Sequence, residues 1–433
     1  MSRALFGTDG IRGLAGEYPL DEAGAEQIGR AIGAKFAKPG QYIVIASDPR
    51  ESSAGLVTAV TKGLTAVGIN VTFIGVIPTP GLAYLTRETD KFVAGVMITA
   101  SHNPVQYNGI KVFSRSGDKL SDEDETELNA FIDRKLPDHN TPGQNFADEK
   151  LAQLYEDFLV ESAVGTHLNG LSLAVDTANG AASGFGERVF KRLGAEVKAM
   201  FDEPNGHNIN DGCGATDTAA LQKAVTEGDL DLGVAVDGDA DRLMLVDNQG
   251  REVNGDYIMY LLAVSQKLNG VVATDMSNLG LEKSLSAQNI KLVRTAVGDR
   301  YVLEGLAQTG YKLGGEQSGH TILPDLLKTG DGLLAAVQVI REVAASGKTL
   351  AQWRDEVQVL PQALVNIPLT DKSHLERESI QTYMKAQADE LGDSGRVLIR
   401  PSGTEPVVRV MVEAADAQEK AEAIASKLKE LLA

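Results

Sequence analysis

The sequence predicts an α/β protein made of several similar domains, with a smaller α+β domain at its C-terminal end. Three short apolar runs that each end in an acidic residue predict strands at 43–48, 171–176 and 271–275. Apolar residues at helical spacing follow the first two runs, which is typical of α/β units. Because the runs recur about a hundred residues apart, a domain-sized interval, we expect three similar α/β domains in tandem.

Turn-rich stretches and a change of pattern set the expected domain boundaries. Residues 137–143 are polar and rich in turn formers, and 248–250 separate the second and third units. The residue pattern of the final part predicts a strand at 363–369, a helix at 380–391, two strands at 396–399 and Val407–Glu413, and a helix at Ala417–Leu432. That order is typical of a small α+β domain with an antiparallel sheet. We therefore expect domains at 1–155, 156–250, 251–362 and 363–433.

Composition limits the partners and the compartment. The chain has 433 residues and a net charge of −19, so most of its surface would repel nucleic acid and anionic membranes. An anionic ligand would need a local basic pocket. The single cysteine, Cys213, excludes an internal disulfide and a thiolate metal cluster. We find neither a signal-peptide core nor an apolar run long enough to span a membrane. We expect a cytoplasmic protein that binds neither nucleic acid nor membrane.

The stretch 99–111 contains a candidate group carrier. It reads Thr-Ala-Ser-His-Asn-Pro-Val-Gln-Tyr-Asn-Gly-Ile-Lys and follows the apolar run Phe92–Ile98. Ser101 therefore lies on a tight turn that leaves a strand, where its hydroxyl can carry a chemical group. Asn103 and Pro104 are also ordinary turn formers, so a surface loop whose serine caps a backbone amide is the alternative interpretation.

Three aspartates that follow a strand predict a metal site. Asp237, Asp239 and Asp241 alternate after the apolar run Leu232–Val236, so in an extended chain their carboxylates point to the same side. Three like charges gathered there are unfavourable without a cation. The all-oxygen ligand set favours Mg²⁺, and we expect one ion per chain.

A phosphate on Ser101 would supply this metal with a further oxygen ligand. Arg242 and Lys111 would add positive charge around the phosphate. A calcium-binding EF-hand does not fit, because Arg242 stands where that loop needs glycine. A phosphatase that uses Asp237 as its nucleophile remains an alternative.

Two further polar loops are candidate binding elements. Glu316 and Ser318 alternate within the glycine-framed loop 314–320, and a carboxylate beside a hydroxyl suits adjacent sugar hydroxyls. Residues 400–404, with Arg409 on the next strand, offer hydroxyls, backbone amides and guanidinium groups to a phosphate. A simple turn with nearby arginines is an equally good interpretation of this second pattern.

These four motifs, with the opening Phe-Gly-Thr-Asp-Gly-Ile-Arg-Gly at 6–13, resemble those of the α-D-phosphohexomutase superfamily over essentially the whole chain. The amino-acid sequences of the loops at 315–320 and 400–406 are similar to those of the bacterial branch that acts on glucosamine phosphates. The resemblance implies three α/β domains with mixed sheets and a smaller C-terminal α+β domain around a central cleft.

The resemblance also implies a role for each candidate residue. Ser101 would be the phosphoserine, and its phosphate would bind Mg²⁺ together with Asp237, Asp239 and Asp241. The residues around the reacting centre would be Arg12, His102, Lys111, Arg242 and His320. Glu316 and Ser318 would recognise the sugar. The phosphate that does not react would be held by Arg400, Ser402, Gly403, Thr404 and Arg409.

The implied activity is that of an isomerase, the interconversion of glucosamine 6-phosphate and glucosamine 1-phosphate, which feeds UDP-N-acetylglucosamine synthesis. Ser101 would pass its phosphoryl group to the sugar. Glucosamine 1,6-bisphosphate, both intermediate and activator, would turn around and return its other phosphoryl group. The alternatives are the same chemistry on glucose or mannose phosphates, a Mg²⁺-dependent phosphatase and a non-catalytic sugar-phosphate sensor. We expect a monomer or homodimer that binds a small sugar phosphate.

Overall fold

The computed structural model describes residues 5–7, 9–369, 371–401 and 407–432. They divide into two compact units, one formed by the described residues up to Met276 with Leu292–Arg354 and the other by Ser277–Lys291 with the described residues from Asp355 onward. The described part of the chain contains four sheets. Three are mixed sheets of seven, five and four strands, and the fourth is a three-stranded antiparallel sheet. The predicted fold class is therefore confirmed.

The first sheet has the order β1-β2-β6-β5-β3-β4-β7. Its strands in chain order are β1 (Phe6–Gly7), β2 (Gly10–Leu14), β3 (Tyr42–Ser47), β4 (Asn70–Val76), β5 (Phe92–Ile98), β6 (Tyr107–Ser114) and β7 (Asn145–Ala147). The accompanying helices are α1 (Glu22–Phe36), α2 (Ser53–Ala66), α3 (Thr79–Glu88), α4 (Asp122–Ile132) and α5 (Ala152–Glu161). Because β3 pairs in parallel with β4 and β5 and is buried from Ile43 to Ser47, its sequence is a nearly continuous apolar run.

The second sheet has the order β12-β11-β10-β8-β9. It contains β8 (Ser172–Asp176), β9 (Glu196–Met200), β10 (Leu232–Val236), β11 (Leu243–Asp247) and β12 (Glu252–Val253), with helices α6 (Phe185–Arg192) and α7 (Ala219–Glu227). The pair β10–β11 is antiparallel, with Val236 opposite Leu243. The segment that joins these two strands therefore has to reverse the chain direction, and it carries the three alternating aspartates.

The third sheet has the order β14-β13-β15-β16. Its strands are β13 (Gly270–Thr274), β14 (Lys291–Thr295), β15 (Gly314–Gly315) and β16 (Thr321–Ile322). The helices of this part of the chain are α8 (Gly255–Ser265), α9 (Leu279–Ala287), α10 (Asp299–Thr309), α11 (Gly332–Ser346) and α12 (Leu350–Asp355). Helix α9 belongs to the second compact unit.

The fourth sheet is antiparallel, with the order β17-β19-β18. It contains β17 (Gln362–Pro368), β18 (Arg396–Pro401) and β19 (Val407–Glu413), with helices α13 (Glu378–Leu391) and α14 (Ala417–Leu432). One apolar core joins this sheet to both helices. The predicted strand and helix order of this last part is confirmed.

Within the ranges just given, no helix is both long and apolar enough to cross a membrane.

A buried acidic cap fixes the start of α11. The Asp331 carboxylate accepts hydrogen bonds from the Leu334 amide (2.9 Å) and from the Tyr155 hydroxyl (3.0 and 2.9 Å). Asp331 is 1% exposed and Tyr155 is fully buried. Burial raises the pKa of Asp331 to about 7.

We predict that Asp331→Asn makes the stability less dependent on pH. The pKa of an unfolded aspartate is about 3.9. A carboxyl whose pKa is raised in the folded chain stabilises the fold most at low pH, and this contribution is lost as the pH rises towards 7. Asparagine keeps the cap but cannot ionise. In thermal melts, the Tm of the variant should therefore rise relative to that of the wild type between pH 5 and pH 8.

The matched control is Asn254→Ser, which changes the half-buried cap of α8 without an ionisable group. Its Tm difference from the wild type should be nearly constant with pH. Parallel pH curves for Asp331→Asn and the wild type would contradict the prediction.

Candidate active site

Ser101 lies on the turn after β5, in a backbone conformation that side chains rarely adopt. Its φ angle is 55°, in the left-handed region, and the residue is 1% exposed. Its amide donates to Thr99 Oγ1 at 2.9 Å. Such a conformation persists only where surrounding contacts enforce it, and it is common at functional sites.

Arg50 supplies those enforcing contacts. Its side chain and that of its ion-pair partner Asp48, 2.8 Å away, are completely buried. The guanidinium nitrogens donate to four backbone carbonyls of the serine turn, those of Ser101 (2.9 Å), Asn103 (2.7 Å), Pro104 (2.6 Å) and Tyr107 (3.1 Å). Because Arg50 satisfies carbonyls that would otherwise be buried without partners, it fixes the path of the whole turn.

The loop between β10 and β11 gathers three carboxylates. The Ala240 amide donates to the Asp237 carbonyl at 2.9 Å, and Ala240 has a φ angle of 60°. The expectation of an extended segment is therefore wrong, because the antiparallel pairing of β10 with β11 requires a reversal. The turn nevertheless brings Asp237, Asp239 and Asp241 together, with one oxygen of each within 4.8 Å of the others.

This triad fits a divalent cation. The three residues are 0%, 0% and 3% exposed. The Oδ1 atoms of Asp239 and Asp241 make no hydrogen bond within the part of the chain that the structure describes. Burial, and then the charges of Asp241 and Asp239, raise the pKa of Asp237 well above its usual range. A hard cation would relieve this repulsion and use the unpartnered oxygens, which suits Mg²⁺.

The serine turn and the aspartate loop are in direct contact. The Ser101 hydroxyl donates to Asp237 Oδ2 at 2.6 Å. A Cβ on Gly238 would lie 2.6 Å from the Ser101 carbonyl oxygen, so only glycine allows this approach. A group carried on Ser101 would therefore be next to the candidate metal ligands.

Cationic side chains surround the same point. Lys111 Nζ lies 2.8 Å from Asp239 Oδ2, 3.3 Å from Asp241 Oδ2 and 2.8 Å from Asp9 Oδ2. Arg12 forms an ion pair with Asp9. Arg242 Nε lies 4.0 Å from Asp241 Oδ1. These charges can offset the negative charge of a phosphoryl group.

His102 is a neutral group next to the serine. Its Nδ1 lies 3.3 Å from Ser101 Oγ. Burial, followed by the charges of Arg242 and Arg12, lowers the pKa of His102 to about 4. The imidazole is therefore uncharged near neutral pH and able to accept a proton.

The loop at 314–320 is a turn between β15 and β16. The Gly319 amide donates to the Glu316 carbonyl at 3.0 Å, so the predicted alternation of Glu316 and Ser318 is replaced by a reversal. Glu316 Oε1 accepts from the Gly298 amide at 3.1 Å, and Ser318 is exposed. His320 Nδ1 lies 3.8 Å from Asp241 Oδ1, which places this loop beside the aspartate loop.

The first compact unit thus brings together most of the residues predicted for the reaction, namely Arg12, Ser101, His102, Lys111, Asp237, Asp239, Asp241, Arg242 and His320. Arg400 and Arg409 lie opposite each other on β18 and β19 of the second unit. Ser402, Gly403 and Thr404 lie outside the described residues.

Sequence reasoning missed five residues around the serine, namely Asp9, Asp48, Arg50, Lys119 and Asp299. The first belongs to the opening motif 6–13, and the second ends a predicted strand, so both had a local signal. Arg50, Lys119 and Asp299 are isolated in the sequence. Only their buried ion pairs identify them.

A buried serine that donates to one of three clustered carboxylates is typical of enzymes that transfer phosphoryl groups with the help of a divalent cation. Family models for phosphoglucomutase/phosphomannomutase match the chain in four consecutive parts. They are alpha/beta/alpha domains I, II and III at residues 3–138, 152–250 and 254–360, and the C-terminal domain at 364–431. The chain belongs to the phosphoglucomutase/phosphomannomutase family of enzymes.

Similar proteins in this family include two curated bacterial mutases. Phosphoglucosamine mutase 2 of Shewanella sp. (strain MR-4) is 46% identical, over 99% of this chain and 100% of the relative. A phosphoglucosamine mutase of Thermus thermophilus is 44% identical, over 99% of this chain and 97% of the relative.

Solved structures share the fold. A phosphoglucomutase/phosphomannomutase family protein from Burkholderia thailandensis has a TM-score of 0.84 at 24% identity, covering 99% of this chain and 97% of its own. The N-acetylphosphoglucosamine mutase of Aspergillus fumigatus, solved in complex with GlcNAc-6P and magnesium, has a TM-score of 0.64 at 20% identity, covering 94% of this chain and 98% of its own.

We predict that Mg²⁺ stabilises the folded protein through the triad. A ligand that binds only the folded state raises Tm as its concentration exceeds Kd. Millimolar MgCl₂ should therefore raise the Tm of the wild type by a few degrees, whereas Asp239→Asn should remove most of the rise. Asp217→Asn, an exposed aspartate of the same part of the chain, should keep it. An equal rise in all three proteins would contradict binding at the triad.

We predict that Arg50→Lys impairs the serine turn. A lysine cannot reach four carbonyls, because its donors share one nitrogen. We expect kcat to fall about 10- to 100-fold through misplacement of Ser101, with little change in KM. Arg30→Lys is the matched control, since Arg30 pairs with Glu26 and Asp138 at the surface of the same unit. Steady-state kinetics would contradict the prediction if both variants had the same kcat.

Proposed function

We propose that this protein is a phosphoglucosamine mutase, which interconverts glucosamine 6-phosphate and glucosamine 1-phosphate through a phosphoserine. The names of its relatives at 44–46% identity support the substrate. One observation carries the chemistry, namely the 2.6 Å hydrogen bond from the buried Ser101 hydroxyl to Asp237. A phosphoryl group on this oxygen would be next to the carboxylates that suit Mg²⁺.

We further propose the four-domain division at 1–155, 156–250, 251–362 and 363–433, supported by the similar limits of the four family matches. We also propose that the protein is a monomer or a homodimer and that it is located in the cytoplasm. The single cysteine, which is buried and has no disulfide, is compatible with that compartment.

In the first half of the proposed reaction, a free hydroxyl of the sugar phosphate attacks the phosphorus on Ser101 in line. A new phosphorus–oxygen bond forms to the sugar, the bond to Ser101 Oγ breaks, and its electron pair stays on Oγ. The sugar hydroxyl gives up its proton as the new bond forms and Oγ takes one up, and His102, whose neutral Nδ1 lies 3.3 Å from Oγ, would take part in this proton exchange. Lys111 and Arg242 offset the charge of the transferred group.

Asp237, Asp239 and Asp241 would hold Mg²⁺ at this point. When bound, the ion neutralises charge on the transferred phosphoryl group. The second half reverses the first, because the bisphosphate turns around and Ser101 Oγ accepts the other phosphoryl group. The low exposure of Ser101, 1%, would limit the attack of water on the phosphoserine between the two halves. We propose that Glu316 and Ser318 bind the sugar, and that Arg400, Ser402, Gly403, Thr404 and Arg409 hold the phosphate that does not react.

We predict that Ser101→Ala removes the mutase activity. Without the oxygen that carries the phosphoryl group, turnover should fall about 10³-fold or more. Intact mass spectrometry after incubation with the sugar bisphosphate should show a phosphoryl group on the wild type and none on the variant. Ser116→Ala, an exposed serine after the neighbouring strand β6, is the control and should behave as wild type. Undiminished turnover by Ser101→Ala would overturn the phosphoserine scheme.

The substrate is tested by turnover of glucosamine, glucose and mannose 6-phosphates, each with a catalytic amount of its bisphosphate. The proposal expects the highest kcat/KM for glucosamine 6-phosphate. A preference for mannose or glucose would favour the alternative member of the same family, a phosphomannomutase/phosphoglucomutase. Release of inorganic phosphate equal to substrate loss would favour a phosphatase.

A further inference from the structure

Six side chains of the first compact unit form a closed circuit beside Ser101 in which acidic and basic residues alternate. This charge ring consists, in order, of Lys111, Asp9, Lys119, Asp299, His320 and Asp241. Lys111 closes it, because its Nζ contacts both Asp9 and Asp241, and Asp239 joins the ring through the same nitrogen. The members come from the opening hairpin, β6, the segment after β6, the aspartate loop, the start of α10 and the loop after β15.

Two members of the ring have no place in the chemistry described so far. Lys119 Nζ lies 2.6 Å from Asp9 Oδ1 and pairs with Asp299 Oδ2 on its other side. Asp299 Oδ2 in turn lies 3.4 Å from His320 Nε2. Among the residues that the structure describes, neither forms a hydrogen bond or an ion pair with Ser101 or the triad, although both adjoin side chains that do.

The electrostatics favour a fixed arrangement. The side chains of Lys119 and Asp299 are only 17% and 10% exposed, so solvent screens their charges weakly. Burial would lower the pKa of Lys119, but the charges of Asp299 and Asp9 outweigh it and raise that pKa. Burial would raise the pKa of Asp299, but the charges of Lys119 and His320 outweigh it and lower that pKa.

Lys119 is the only cation of the ring between the carboxylates of Asp9 and Asp299. Without its charge, these two carboxylates would repel each other across the gap. Asp9 also holds Lys111, and Asp299 adjoins His320, so displacement of either carboxylate moves a group that faces the triad.

We infer that Lys119 and Asp299 are positioning residues for phosphoryl transfer: they fix Lys111 and His320 against the aspartate triad by completing the charge ring. This inference rests on the proposed function. It assigns to both residues an effect on the reaction step rather than on sugar binding.

A cavity borders the ring on the side of Lys119 and Asp299. It has a volume of about 610 Å³, and its wall includes four ring members, Asp9, Lys111, Lys119 and Asp299. Ser101 does not line it. The rest of the wall comes mainly from α10 and the segment after β6. A small cation in solution can therefore reach the space that a shortened Lys119 side chain would leave.

The first test compares Lys119→Met and Asp299→Asn with the control Lys312→Met. Lys312 lines the same cavity and pairs with Asp325 at 2.7 Å, outside the ring. We expect kcat to fall about 10- to 100-fold in the two ring variants, with KM for the sugar phosphate within about threefold of wild type. The control should retain wild-type kinetics. Ring variants with the same kcat as the control, or with a loss confined to KM, would overturn the inference.

The double variant Lys119→Met/Asp299→Asn tests whether the ring acts as one unit. Residues that act together give non-additive losses, so the double variant should be about as slow as the slower single variant. Losses that multiply would overturn the inference. Lys119→Arg keeps the charge and should retain most of the activity, which gives a readout even if the other variants unfold.

Chemical rescue separates positioning from a merely structural role. Ethylammonium should restore the kcat of Lys119→Ala about tenfold or more, because it returns a hydrogen-bonding cation to the ring. Tetramethylammonium has the charge but no N–H group and should not restore it. No rescue by either ion, or equal rescue by both, would overturn the inference.

Rates are measured with whichever of the three sugar 6-phosphates the wild type converts fastest. A preference for glucose or mannose phosphate would overturn the substrate assignment, and the ring variants would still have to lose kcat. A wild type that isomerises none of the three would overturn the proposed function and the inference together.

Discussion

The constraint on which the rest of the site depends is the burial of three like charges beside a serine. Asp237, Asp239 and Asp241 are almost completely inaccessible to solvent, and their carboxylates are too close for all of them to remain ionised without compensation. The chain supplies part of that compensation through Lys111 and Arg242. At the Oδ1 atoms of Asp239 and Asp241, which make no hydrogen bond among the described residues, a divalent cation would supply the remainder. Repulsion that would destabilise an ordinary loop would thus favour the binding of a cation by this loop.

The site consists of turns that each follow a buried strand. The serine turn follows β5, the aspartate loop follows β10 and the glycine-framed loop follows β15. The strands are held rigidly by their sheets, whereas the turns are free to vary in sequence and conformation. Contacts between the turns, such as that of Gly238 with the Ser101 carbonyl, then set their mutual geometry. Ser101 and Ala240 have positive φ angles, which residues other than glycine rarely adopt. Contacts with the neighbouring turns hold both residues in this conformation.

Much of the fold was predictable because local pattern determines local structure. The apolar runs Phe92–Ile98 and Leu232–Val236 correspond to β5 and β10, and the period of Ala417–Leu432 corresponds to α14. The alternation at 237–241 was misleading, because strand pairing on both sides forces a reversal that the short polar segment does not reveal. Arg50, Lys119 and Asp299 were not predictable. Lys119 and Asp299 are 180 residues apart, and only the tertiary fold makes them neighbours.

The four carbonyls held by Arg50 have a consequence for how a two-way transfer can proceed. A carrier anchored at so many points of its main chain has no freedom to swing between two acceptor positions. The sugar bisphosphate, and not the polypeptide, must therefore reorient between the two halves of the cycle. The doubly esterified sugar then has to stay bound for longer than it needs to turn around. Selection would therefore act on the retention of this molecule as strongly as on the rate of phosphoryl transfer.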